Sequence, residues 1–128
     1  MITEEEQEQK SMDTGIRRNV DELLRSLRSS GEYRAFELAR RRLDADPGKR
    51  KRTDEFRRKN FLLQNSEDGA RAQAQEEMFR EREELHRDPE IGAYLDAELA
   101  VCRLLRQINM RLMDSVDLDL DSMEDILS

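Results

Sequence analysis

The sequence has no tryptophan, one cysteine, one histidine and two prolines among its 128 residues. A single thiol, Cys102, excludes a disulfide within the chain. With His86 as the only imidazole, neither a Ser/His/Asp nor a Cys/His set has recognisable supporting partners. No apolar run approaches the roughly 20 residues that span a bilayer. The first residues, Met1 to Lys10, are acidic and polar and do not read as a secretory signal. The expectation is a cytoplasmic protein without membrane insertion, without a cofactor or metal, and without a catalytic site.

What is present is charge and helix formers. Charged residues make up 41% of the chain and hydrophobic ones 36%, and the mean hydropathy is −0.96. Arg, Glu, Leu, Gln and Ala dominate, all good helix formers. A chain this short and polar builds a thin core. Long amphipathic helices sharing apolar stripes with a second copy relieve that shortage, so an oligomer is expected. The net charge of −7 conceals an asymmetry. Residues 16–60 carry fifteen basic and eight acidic side chains, and residues 61–128 carry seven and seventeen. Such a chain can attract its own copies or a partner of either sign, or simply present solvated helix faces.

The fold class read from spacing is all-α: a bundle of about five helices with a long C-terminal helix, oligomeric. Residues 1–15 read as a disordered acidic segment. Residues 16–116 form the helical domain and residues 117–128 an acidic tail with apolar points. Ile16, Val20, Leu23, Leu24 and Leu27 make one helical stripe. Ser29 and Glu32 have capping-box spacing, placing a new helix start at Ser29. Its stripe is Tyr33, Phe36, Ala39 and Leu43. Asp46-Pro47 marks another start, with Asp as cap and Pro at the first helical position. The helix that follows presents Phe56, Phe61, Leu62 and Leu63. Asn65 to Gly69 is a polar break, with Ser66 as a cap. A helix from about Ala70 to His86 follows, with Ala74, Met78, Phe79 and Leu85 as a sparse apolar face. It can equally be continuous with the helix before it. Asp88-Pro89 repeats the start signal.

The last helix is the most informative. Ile91, Leu95, Cys102, Leu105, Leu112 and Val116 form one stripe, and Tyr94, Val101 and Ile108 a second beside it. Together they exceed the roughly 100° arc of a surface helix, so this helix can contact more than one neighbour. The expected oligomer interface is Tyr94, Leu95, Val101, Cys102, Leu105, Ile108 and Leu112. Glu98 and Asn109 lie on or near the stripe and can fix helix register at a cost in stability, or sit at its edge. Cys102 reads as a small packed residue, and His86 as a surface residue at a helix end.

Two charged features stand out. Lys49, Arg50, Lys51 and Arg52 open a helix whose dipole they oppose, and Arg57, Arg58 and Lys59 follow. This basic patch is a solvated face, a surface for an acidic partner (including the acidic half of another copy), or a set of phosphate contacts to RNA. The tail alternates Asp117, Asp119 and Asp121 with Leu118 and Leu120, then adds Met123, Ile126 and Leu127 as points for a partner. Asp117 also matches the start of a calcium loop, but the glycine and glutamate that loop needs are replaced by Ser122 and Ser128.

The order of these signals carries a resemblance. Ser-Ser-Gly-Glu-Tyr (29–33) is followed by Phe36, Ala39, Leu43 and Ala-Asp-Pro (45–47). Phe56 lies nine residues beyond that proline. The last helix opens Asp-Pro-Glu-Ile-Gly-Ala-Tyr-Leu-Asp-Ala-Glu (88–98) and continues Leu-Leu-Arg-Gln-Ile-Asn (104–109). Over roughly residues 16–115 the chain resembles the YlbF/YmcA family of bacterial cell-fate regulators, also described as YheA/YmcA-like. The resemblance implies an oligomeric helical bundle and a regulatory role rather than catalysis. Family members are similar to subunits of a cytoplasmic complex acting with the endoribonuclease RNase Y. Through mRNA processing that complex affects competence, biofilm formation and sporulation. The partners so implied are the chain itself, paralogous members and a ribonuclease-associated complex. Iron–sulfur clusters have been associated with such complexes, and here the sequence departs, because one cysteine cannot supply four thiolates. The alternatives are a helical scaffold module serving another system, and a direct RNA-binding protein.

Overall fold

The computed structural model describes residues 12–65 and 71–116, together with Thr3, Glu4 and Glu6. Among the residues from 12 onward that it describes, five helices follow in order: α1 (Thr14–Arg28), α2 (Gly31–Asp44), α3 (Pro47–Gln64), α4 (Arg71–His86) and α5 (Pro89–Ser115). No strand occurs among the described residues. The all-α expectation and the long C-terminal helix are therefore met.

Local chemistry explains the helix starts. Asp46 Oδ1 accepts from the Gly48 and Lys49 amides at 3.1 and 3.2 Å, with Pro47 in the first turn. Asp88 Oδ1 accepts likewise from Glu90 and Ile91 at 3.0 and 3.2 Å, with Pro89 behind it. Each cap satisfies amides that have no partner inside the helix. α1 begins at Thr14 rather than Ile16 because Asp13 caps it, its Oδ1 lying 2.8 Å from the Gly15 amide. The break before α2 also falls one residue later than capping-box spacing predicts. Ser29 keeps helical dihedrals and closes α1, whereas Ser30 is extended and caps α2. The Ser30 hydroxyl serves both ends: it donates to the Leu27 carbonyl at 2.6 Å and accepts from the Tyr33 amide at 3.2 Å.

α2 lies along the first half of α5, and this is the most extensive pairing in the molecule. α3 and α4 pack against each other, and both touch α5. α1 meets α2 and is not packed along any other helix. The two middle helices are separate, since Asn65 closes α3 by binding the Phe61 carbonyl through both its amide nitrogens. The remainder of that connection, including Ser66, lies outside the described residues, as do most of residues 1–11 and all of the tail from Asp117 to Ser128.

The core is small. It consists of Ala39 and Leu43 from α2, Phe56 from α3, Leu85 from α4, and Ile91, Tyr94 and Leu95 from α5. Phe36, Met78 and Ala97 pack at its edge. Thr53 is also fully buried, a placement the apolar pattern did not anticipate. Its hydroxyl is satisfied by donating to the Lys49 carbonyl at 2.8 Å, which removes the penalty of an unpaired buried polar group.

Several apolar residues expected inside are not. Phe61 is 67% exposed, Leu62 62% and Phe79 62%. Phe61 and Leu62 lie in the last turn of α3, and Phe79 lies at the middle of α4. Cys102 is exposed rather than packed, because it faces away from the side of α5 on which Val101 and Leu104 are half-buried.

Candidate functional site

α5 is covered over its first turns and bare over its last. Tyr94 and Leu95 are each 1% exposed and belong to the chain's own core. Val101, Leu104 and Ile108 are half-buried. Cys102, Leu105, Leu112, Met113 and Val116 are exposed. The residues expected at an oligomer interface therefore divide into three groups, with Val101 and Ile108 half-covered between the other two. Tyr94 and Leu95 hold the single chain together, while Cys102, Leu105 and Leu112 remain free for contact outside it.

Tyr94 is where α2, α3 and α5 converge. Its ring centroid lies 5.5 Å from that of Phe36 at a tilt of 38°. The guanidinium carbons of Arg50 and Arg57 stand 5.0 and 5.6 Å from the same centroid. Cations so placed are attracted by the ring's quadrupole. Burial pushes the Tyr94 phenol above its ordinary range, against the opposing pull of Arg57. The group therefore stays neutral at physiological pH.

The basic run is largely engaged within the chain. Lys49 Nζ lies 2.9 Å from Asp88 and 3.6 Å from Glu90. Arg50 pairs with Asp54 at 3.1 Å and with Asp44 at 3.5 Å. Arg57 lies 3.3 Å from Asp54. It is also 2.8 Å from Glu98 Oε2, an ion pair out of line for a hydrogen bond. Lys59 lies 3.7 Å from Glu81. Only Lys51, Arg52 and Arg58 of the patch are classed as exposed without any of these pairs. The charges that oppose the α3 dipole are thus placed for tertiary reasons. Lys49 fastens the start of α3 to the capped, acidic start of α5, and Arg57 ties the middle of α3 to Glu98. Glu98 acts as that ionic partner rather than as a free polar residue in the stripe. Asn109 is exposed.

The Lys49–Asp88 contact makes a pH prediction. Hydrogen bonding to Lys49 holds the Asp88 carboxyl below its ordinary value, and the same bond holds Lys49 above its own. A lowered carboxyl contributes stability above its unfolded pKa and loses it as pH falls through the folded one. The loss therefore comes below about pH 4. Asp88→Asn keeps a good cap but removes the charge. Its melting temperature is expected to fall less steeply on acidification than that of the unsubstituted protein. Parallel melting curves down to about pH 2 would refute this.

His86, at the end of α4, is exposed and faces Asp96 with Nε2 2.9 and 3.0 Å from the two carboxylate oxygens. It thereby clips the α4–α5 turn. The tail points Leu118, Leu120, Met123, Ile126 and Leu127 lie outside the described residues.

The second bare surface is one that sequence reasoning saw as a stripe but did not count as a site. α1 has no buried residue, although Ile16, Val20, Leu23 and Leu24 line one side of it. Only Leu27 is half-covered. A stripe has the same spacing whether its own chain or another covers it, so periodicity alone does not mark it as free.

A family model described as control of competence regulator ComK, YlbF/YmcA, matches residues 16–117. The chain belongs to the YlbF/YmcA family. The matched span takes in all but the first two residues of α1 and the whole of the other four helices, so it includes both bare stripes of this YlbF/YmcA chain. The family description supports a regulatory role. No curated protein and no solved structure matches the chain. No described helix of this YlbF/YmcA member is long and apolar enough to cross a membrane.

Proposed function

We propose that the chain is a non-catalytic regulatory subunit of the bacterial cytoplasm. It assembles with itself or with paralogous family members and modulates the RNA-processing machine built on the endoribonuclease RNase Y. Competence, biofilm formation and sporulation are then its downstream outputs. The family match over residues 16–117, with its link to control of a competence regulator, carries this reading. The division of α5 supports it. The first half builds the fold, and the second half offers Cys102, Leu105 and Leu112 to a partner. The exposed charges Lys51, Arg52 and Arg58 and the tail from Leu118 to Leu127 are the remaining outward contacts.

Affinity capture from the native cell tests the role. Ribonuclease-associated proteins are expected among those retained, and their absence from a capture that does recover family members would sink the ribonuclease role. A helical scaffold module serving another system uses the same bare stripes, and the identity of the captured partners separates the two. Direct RNA binding is disfavoured by the ion pairs of Lys49, Arg50, Arg57 and Lys59. A phosphate site needs free cations, and its affinity falls steeply with salt. In a salt-titrated assay no RNA is expected to bind even at low salt. Salt-dependent binding would restore the RNA reading.

A further inference from the structure

Phe61 and Phe79, both mostly exposed, border one groove between α3 and α4. Each lines one of two adjoining cavities, of about 290 and 340 Å³, that share Phe56, Asn60, Gln64 and Arg82. Phe56 belongs to the core and is the floor. Charge along this groove is one-sided. From Arg57 to Gln64, α3 carries three cations and no acid. Arg82 is half-buried. The residues three and four places from it on α4 are Met78, Phe79, Leu85 and His86, so no carboxylate stands beside it on its own helix. The nearby acids have other partners: Glu81 faces Lys59, Glu76 faces Arg80 and Glu98 faces Arg57. A half-buried guanidinium lined by aromatic rings is costly to hold unless a carboxylate comes to it.

We infer that the chain's own C-terminal tail, residues 117–128, occupies this groove. Met123, Ile126 and Leu127 lie against Phe61 and Phe79, and a tail carboxylate meets Arg82. Charge, pattern and reach select this occupant. The tail carries five acids and no cation. Met123, Ile126 and Leu127 recur at three and four residues, with Glu124 and Asp125 between them, so one segment offers both an apolar side and carboxylates. Lys49 meets Asp88 and Arg57 meets Glu98, so α3 and α5 run side by side in one direction and the groove lies level with Glu98. From Ser115 back to that level is about 26 Å at the helical rise. Met123 and Leu127 follow Ser115 closely enough to reach about 26 and 40 Å along an extended chain. A tethered segment is held at an effective concentration on the order of 1 mM, so an intrinsic dissociation constant of about 0.1 mM leaves it mostly docked. A partner that takes the tail must then draw it out of the groove. None of this depends on which machine is regulated, and an empty groove would leave the regulatory role standing.

The test uses the full-length chain with Cys102→Ser and Ser128→Cys, and a nitroxide on the new thiol. In an isotope-labelled sample the amides of residues 60–64 and 75–82 are expected to lose most of their intensity to paramagnetic broadening, and those of α1 little. Ile126→Asp combined with Leu127→Asp leaves every core residue in place and is expected to restore most of that intensity. Arg82→Glu, which turns the attraction into repulsion, is expected to do the same. Should Arg82→Glu unfold, the tail variant decides. A labelled chain without nitroxide, mixed with unlabelled chain that carries it, is expected to show no loss, because the tail docks on its own chain. A loss no greater in the groove than along α1, a loss unchanged in the tail variant, or a loss seen equally in the mixed sample would each overturn the proposal.

Discussion

Tyr94→Ala is expected to remove about 3–5 kcal/mol of unfolding free energy, the usual effect of truncating a large buried aromatic residue. Domains of this kind have only about 5–15 kcal/mol in total, so the variant should be close to unfolding at physiological temperature. Tyr94 is among the largest fully buried side chains, and three helices depend on its ring. Phe36 of α2 packs on it, and Arg50 and Arg57 of α3 lie against it. Removing the ring opens a cavity and also withdraws the π surface from two guanidinium groups in a partly dry setting. Tyr94→Phe keeps the ring, its packing and its quadrupole. It is expected to lose only a small part of that energy, on the order of 1 kcal/mol. Urea unfolding followed by circular dichroism, at one fixed protein concentration, measures both. If the two variants were equally destabilised, the phenol hydroxyl rather than the ring would be what holds the three helices.

Gly92→Ala should destabilise the protein by about 1–3 kcal/mol, against the direction that helix propensity sets. Alanine is favoured over glycine inside a helix by roughly 1 kcal/mol, and Gly92 lies within the first turns of α5. A Cβ there would stand 2.8 Å from the His86 carbonyl oxygen and 3.4 Å from two atoms of its ring. The obstacle is backbone, held by the tight turn in which the Arg87 and Asp88 amides donate to the Glu84 and Leu85 carbonyls. That turn is held further by the Asp88 cap and by the contact of His86 with Asp96, so it cannot retreat cheaply. The decrease is expected in urea midpoint without change of slope. A gain in stability would mean that the turn yields freely. Gly31 is the matched control, since a Cβ there meets nothing within 4 Å.

The legibility of this chain was uneven, and the unevenness has a physical pattern. The Asp46-Pro47 and Asp88-Pro89 starts were readable because a cap and its amides are neighbours in sequence. The Ser29–Ser30 break was readable only to within one residue, since either hydroxyl can cap and the dihedrals choose. The stripe Phe36, Ala39 and Leu43 faced inward as its spacing predicts. Phe61, Leu62 and Phe79 did not. An apolar residue on a helix is buried only where another helix reaches it, and reach is a property of the assembled bundle. The same holds for the candidate site. The wide stripe of α5 was visible, but that Val101 and Ile108 stay half-covered while Cys102, Leu105 and Leu112 are bare depends on how α2 is laid alongside it.

Local sequence by itself determined that the chain is helical, where four of its five helices start to within two residues, and that one helix is long and two-sided. These properties follow from hydrogen bonds between near neighbours and from a 3.6-residue period. Only the tertiary structure decided what the charges and the apolar faces are for. Lys49, Arg50, Arg57 and Lys59 looked like an outward patch, yet each finds a carboxylate, for Lys49 and Arg57 across to α5 and for Lys59 across to α4. Tyr94 and Leu95 looked like interface and are core, while Cys102, Leu105 and Leu112 of the same stripe are bare. Charge pairing and burial join residues distant in sequence, so they are set by how helices of fixed length are laid against one another.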